Sequence, residues 1–245
     1  MLALTFDIDW APDFVIDAVA APLIEHSVRA TWFVTHLSPA ILQLAMRPDL
    51  FELGIHPNFL AGSDHGSTPA EVLNHCMQLV PDAVSVRTHA LMQSGPLLDE
   101  ILTHTPVTID SSLFLPRMPG IQPIPYWRRG TRTLWRIPFF WSDLAEAERD
   151  VADWSLASLL NGPGLKVLDF HPIHVQLNSS DGEAYRRLKE ACPRLQEASQ
   201  QLVAAHRNPG SGAGTLFDEV VSHLAELEHT VCLRELIESR DMRAQ

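Results

Sequence analysis

Seven short runs rich in apolar, β-branched and aromatic residues recur along the chain, at 2–7, 29–36, 51–57, 83–90, 107–113, 133–141 and 165–172, and helix-patterned stretches separate most of them. Strands that alternate with helices specify βα units, whose crossovers lay the strands parallel in one sheet with helices on its faces. So many strands in so short a span favour a closed or nearly closed barrel. Local signals agree with this reading. Ser38-Pro39 places an N-cap and a proline at the first turn of a helix, and Thr68-Pro69-Ala70-Glu71 is a capping box for a helix to about Val80. Further helices are expected over Leu97–Leu102 and Leu144–Leu160, while Pro116–Pro125 reads as an irregular excursion. The stretches 183–207 and 214–238 are helical in pattern, and the NPGSGAG segment at 208–214 between them reads as flexible. The organisation expected is a single domain over 1–245, with a motif-bearing barrel at about 1–175 and a helical part at about 180–245.

Charge narrows the function classes. Lys plus Arg number 18 against 30 Asp plus Glu, a net charge of −12, and no lysine-arginine run occurs. Nucleic acid and anionic membranes, which need a concentrated positive field, are therefore excluded as main partners. No apolar run reaches the ~18 residues of a transmembrane segment, and the amino terminus lacks a basic, then apolar, leader pattern. Cys76, Cys192 and Cys232 are far apart without a CxxC, which fits a reducing compartment. A cytoplasmic protein is expected.

In a parallel βα architecture the loops after the strand ends converge on one face, and that is where ligands bind. Chemistry accumulates there: Asp7 and Asp9 end the first run, His56 the third, Arg87 and His89 the fourth, Asp110 the fifth, Asp169 and His171 the last. Asp7 and Asp9, two apart on an extended strand, point the same way, and a divalent cation relieves their repulsion. His56, with His65 in the following Gly-Ser loop, supplies imidazoles and leaves coordination positions open for water and substrate, as in a catalytic zinc site. Asn58 or a water is the alternative to His65. Arg87 can orient an aspartate through paired N–H groups. His171 takes a functional role, while His174, three residues on in HPIH, is read as a supporting or packing histidine, because Pro172 after VLDF argues for a strand end there. Trp10, Phe59, Trp135 and Trp141 lie near these ends and are available either for stacking on a sugar or for packing.

The segments TFDID (5–9), ATWFV (30–34), ELGIHPN (52–58), RTH (87–89), DSSL (110–113) and LDFHP (168–172) occur in an order that resembles the polysaccharide deacetylase family, the NodB-homology group, over residues 2–175. The chain also resembles the cytoplasmic O-antigen-associated, WbmS-like branch of that family. The resemblance implies a distorted (β/α)7 barrel and metal-dependent removal of an acyl group, acetyl by expectation, from an amino sugar. It implies Asp7 as catalytic base, Asp9 as a metal ligand, Arg87 as the group that orients the catalytic aspartate, and His171 as general acid. The metal set is then Asp9, His56 and His65, holding zinc, with cobalt, nickel or manganese as alternatives. Asn58, Trp10, His89 and Trp141 fall to the substrate. The family's second motif has a second histidine four residues on, where this chain has Leu60; its aspartate behind the acid histidine finds only Asp143 and Asp110 as matches. An amino sugar carried on a nucleotide, lipid or oligosaccharide is the expected partner. Hydrolysis of another amide, such as deformylation, and a sugar-binding barrel without turnover are the rival readings.

Overall fold

The computed structural model describes residues 1–227 and 229–241. Nine strands, β1 (Leu2–Asp7), β2 (Ala30–Val34), β3 (Phe51–Ile55), β4 (Ser85–Val86), β5 (Ile109–Asp110), β6 (Ile124–Arg129), β7 (Arg132–Arg136), β8 (Trp141–Ser142) and β9 (Lys166–Phe170), form one sheet in the order β6-β7-β5-β4-β3-β2-β1-β9-β8. Every neighbouring pair is parallel except the β6–β7 hairpin. The sheet curls until one run of chain, 132–142, edges both its ends. Trp135 and Ile137 donate to the carbonyls of Thr108 and Asp110 on one side, and Phe140 donates to Val167 on the other. The expected distorted barrel of parallel staves is therefore what forms, with β6 added antiparallel outside it. Residues 124–129, all exposed, give no alternation that would mark that strand in the sequence.

The period-2 alternation of the strands divides the apolar core in two. Leu2, Leu4, Phe6, Trp32, Leu168 and Phe170 face the helices in a large outer layer. Ala3, Phe33, Ile109, Ile137, Phe139 and Val167 fill a smaller cluster within the barrel. The helix Ala213–Ala225 joins the outer layer, its Phe217 ring 6.0 Å from Phe6 and 5.7 Å from Phe170. The helix Leu233–Asp241 closes the floor instead. Leu233 N donates to Thr31 Oγ1, Arg234 N donates to the buried Glu52, and Leu233, Leu236 and Ile237 join the inner cluster.

The two caps read from the sequence are present at Ser38 and Thr68. Three local expectations are corrected. The helix expected over Leu144–Leu160 is two short ones, Asp143–Ala147 and Leu156–Leu160, because buried Glu146 accepts from Trp141 Nε1, Asp153 N and Arg117 and turns the chain between them. Pro172 opens a helix, Pro172–Leu177, where its missing N–H costs nothing, so HPIH straddles a strand end and a helix start. The 208–214 segment is tied down rather than flexible: the Asn178 amide donates to the carbonyls of Asn208 and Gly210 and accepts from Thr215 N. A Cβ at Gly212 would collide with the carbonyl of Asn178, which explains a glycine at that crossing.

Candidate active site

The functional side chains stand where inward-facing strand positions reach the barrel mouth. Arg87, fully buried just after β4, spans the lumen with its guanidinium 4.6 Å from the ring centres of both Phe33 and Phe139. Nε donates to the Ser111 carbonyl and Nη2 to Ser111 Oγ, while Nη1 reaches Thr5 Oγ1 at 2.9 Å, Asp7 at 3.0 Å and Asp169 at 2.6 Å. A buried guanidinium so thoroughly bonded is a fixed post, and it holds Asp7 Oδ1 through Nη1 alone rather than through the paired N–H groups expected.

Above this post the backbone leaves regular geometry twice. β1 ends at Asp7, and Asp9 and Trp10 then adopt left-handed φ angles of 39° and 55°; across the mouth Ala90 and Leu91 do the same at 53° and 54°. Non-glycine residues in this region each cost about 1–2 kcal/mol, and here the two turns aim Asp9 and His89 at each other. Asp9 Oδ1 lies 3.2 Å from His56 Nε2 and 3.1 Å from His89 Nδ1, and those two ring nitrogens are 3.3 Å apart. Asp7 Oδ2 stands 3.8 Å from the same His56 nitrogen. Burial, the largest influence on Asp9, pushes its pKa upward, yet hydrogen bonds from His56 and His89 and the charge of His171 carry it well below the ordinary value.

On the opposite wall His171 follows β9. Its Nε2 is 3.7 Å from Asp9 Oδ2, and its Nδ1 is 2.7 Å from Asp143 Oδ1, whose other oxygen accepts the His171 backbone N–H at 2.7 Å. Burial opposes the charged imidazolium, but Asp143, Asp169 and Asp9 outweigh it and raise its pKa well above 6.5. Of the two weak matches for the aspartate behind His171, Asp143 fills that place; Asp110 is paired with Arg136 at 2.7 Å and caps Ser112 N. Beneath, His174 contacts the His171 ring and Ser179 Oγ, and burial lowers its pKa to about 4.

The structure therefore brings Asp7, Asp9, His56, Arg87 and His171 together and adds His89 and Asp143. It does not bring His65 to the group. His65 Nδ1 accepts from Asn58 N and its Nε2 lies 2.9 Å from the Thr35 carbonyl, so both ring nitrogens are engaged by backbone and the histidine pins its loop. The position expected of His65, beside Asp9 and His56, is held by His89. Asn58 Oδ1 accepts from Leu60 N within the same loop. Trp141 lies buried against Phe170 and Trp154, away from the mouth, because it sits on the outer face of β8. Trp10 stays at the mouth, 5.3 Å from the His89 ring. Two hollows meet at Asp9, His89 and Tyr185: an inner one of about 400 Å³ reaching Asp7, Asp169 and Phe139, and an outer one of about 520 Å³ walled by Trp10, Lys189 and Arg194. Tyr185, on the helix Glu183–Ala191, was invisible to sequence reading because nothing in its local pattern marks it.

A family model described as WbmS-like polysaccharide deacetylase matches residues 4–189. The chain belongs to this family. The WbmS protein of Bordetella bronchiseptica, described as a polysaccharide deacetylase involved in O-antigen biosynthesis, is 31% identical and superposes with a TM-score of 0.75 over 91% of this chain and 90% of its own. A 4-alpha-glucanotransferase from Thermococcus litoralis shares the fold alone, at 9% identity and a TM-score of 0.52, with 97% of this chain covered and 38% of that one. No curated protein matches the sequence significantly. Membership of the WbmS-like family makes the activity a hydrolytic deacetylation of a carbohydrate, and among the described residues no helix is long and apolar enough to cross a membrane.

Proposed function

We propose that this WbmS-like protein is a metal-dependent N-deacylase acting on an amino sugar in the cytoplasm, in the assembly of an O-antigen-like polysaccharide. The observation that carries the reading is the convergence of Asp9 with the rings of His56 and His89, whose ligand atoms lie within 4.8 Å of one another. Two imidazole nitrogens 3.3 Å apart that share one carboxylate oxygen fit a cation better than they fit protons, since one carboxylate and two neutral rings match a catalytic zinc set. A second trio, Asp7, Asp169 and His171, also comes together, but Asp7 and Asp169 already share Arg87 Nη1. That trio suits proton transfer instead.

When bound, a divalent metal supplies polarisation of the acyl carbonyl and a lowered pKa for water. Asp7, held by Arg87 at Oδ1, accepts the proton of the attacking water at Oδ2, the oxygen that Arg87 does not bind. His171 enters protonated, since its pKa is raised, and delivers its Nε2 proton to the departing sugar nitrogen. Asp143 holds the ring so that this nitrogen faces the mouth. Trp10 offers an apolar face for the sugar ring. The O-antigen setting comes from the Bordetella relative, and the substrate is then an amino sugar carried on a nucleotide or lipid.

Elemental analysis of the purified protein, combined with acetate release from nucleotide-linked N-acetyl amino sugars, tests the reading. About one metal per chain is expected, with release abolished by chelation and restored by zinc, cobalt or manganese. Undiminished release from a metal-free preparation would overturn it.

A further inference from the structure

Of the described residues, only Asp9, His89 and Tyr185 line both of the hollows that meet at the ligand cluster. Trp10, Lys189 and Gln196 wall the outer hollow, whereas Asp7, Asp169 and His171, the groups suited to proton transfer, border the inner one. A substrate whose sugar rests against Trp10 while its amide meets Asp7 and His171 must therefore cross the throat between them. Asp9 and His89 belong to the ligand cluster at that throat, which leaves Tyr185 as the one shared side chain without a task. Thr88 and Ser142 also bring hydroxyls close to the cluster, but they border the inner hollow alone.

The ring of Tyr185 is held in place from below. It comes from the helix Glu183–Ala191 and lies 4.8 Å from the His174 ring, and His174 is fixed in turn by Ser179 Oγ at 2.9 Å and by the His171 ring at 5.7 Å. The Tyr185 hydroxyl, by contrast, has no hydrogen-bond partner among the described residues. A phenol keeps its proton at neutral pH and so offers an uncharged donor. When water adds to an amide the carbonyl oxygen gains negative charge, and a donor positioned beforehand stabilises that charge more than it stabilises the uncharged ground state. We propose that Tyr185 is a catalytic residue whose O–H donates a hydrogen bond to the acyl oxygen as the tetrahedral intermediate forms. The phenol keeps its proton throughout, while the proton of water goes to Asp7 and that of His171 to the departing nitrogen. The inference rests on the deacylase reading above and adds a fixed donor to it. It also gives His174 a task, that of holding the Tyr185 ring.

Tyr185→Phe removes the hydroxyl and keeps the ring. On zinc-loaded protein with nucleotide-linked N-acetyl amino sugars, kcat should fall about a hundredfold while KM moves by less than about twofold. Metal content and melting temperature should match those of the unmodified protein, since the hydroxyl bonds nothing within the fold. Calorimetry adds a measurement apart from turnover. The affinity for N-methylphosphonyl glucosamine, whose tetrahedral oxygens carry the charge of the intermediate, should drop by about the same factor, and that for glucosamine should not change. A raised KM with kcat intact would make Tyr185 a sugar contact and overturn the proposal, as would an unchanged affinity for the phosphonyl compound. Either result leaves the deacylase standing. No acetate release by the unmodified protein would overturn both.

Discussion

Two carboxylates lie on the barrel axis, Glu52 at the floor and Asp9 at the mouth, and burial acts on them with opposite results. Glu52 is inaccessible to solvent and accepts from Thr31 Oγ1 and Arg234 N, while its Oε1 makes no hydrogen bond. Burial prevails and its pKa is raised. Asp9 faces two imidazoles at 3.1 and 3.2 Å and a third at 3.7 Å, and its pKa falls well below the ordinary value. The neighbours, more than the depth, decide whether a buried acid is charged. The floor is built to be nearly neutral and mechanical; the mouth is built to hold charge.

The largest effect should come from cancelling the charge at the mouth. Asp9→Asn is expected to lose bound metal and about a thousandfold or more in activity, with the melting temperature almost unchanged; metal content and acyl release measured together check this. Removing the post between floor and mouth should act on stability instead. Arg87→Met leaves Asp7 and Asp169 buried without their cation and should cost about 3–5 kcal/mol, read by urea unfolding.

Two pH profiles sharpen the contrast. His174 takes up its proton at about 4 in the fold but near 6.5 unfolded, so the unfolded chain binds the extra proton and stability falls as pH drops from 6.5 to 4, by up to about 3 kcal/mol. His174→Gln should remove that part of the fall. Glu52 has the opposite sign. With its folded pKa raised, the fold retains a proton that the unfolded chain has released, and stability declines as pH rises above the ordinary glutamate range. Glu52→Gln should flatten that decline, measured as the difference between the two proteins in unfolding midpoint across pH. The smallest effect is chemical: Cys76 and Cys232, their thiols pushed up to about 12 by burial, should resist alkylation at pH 8 until the chain is unfolded.

How much of this was legible in the sequence follows from the range of each signal. Strand ends are local, so Asp7, Asp9, His56, Arg87 and His171 stood out from residue type and position alone, and the alternation of runs gave the barrel. The role of His89 depends on a left-handed turn at Ala90-Leu91, for which neither residue carries a propensity, so residue type and position point to His65 as the second imidazole and leave His89 to the substrate. Asp143 lies 28 residues before His171 and meets it only because the 132–142 run closes against β9. Trp141 differs from expectation by one face: adjacent strand residues point to opposite sides, and one position decides between mouth and outer layer. β6 was missed because its residues are exposed and follow a proline-rich stretch.

The floor bears on how the molecule acquires its shape. Leu233 meets Thr31 across 202 positions of chain and Arg234 meets Glu52 across 182, so sealing the barrel waits on some of its most sequence-distant pairings. Topology of that kind slows folding, and until the seal is made the lower hydrocarbon of the barrel faces water. Chaperone demand and self-association during refolding should therefore concentrate on that late, unsealed species.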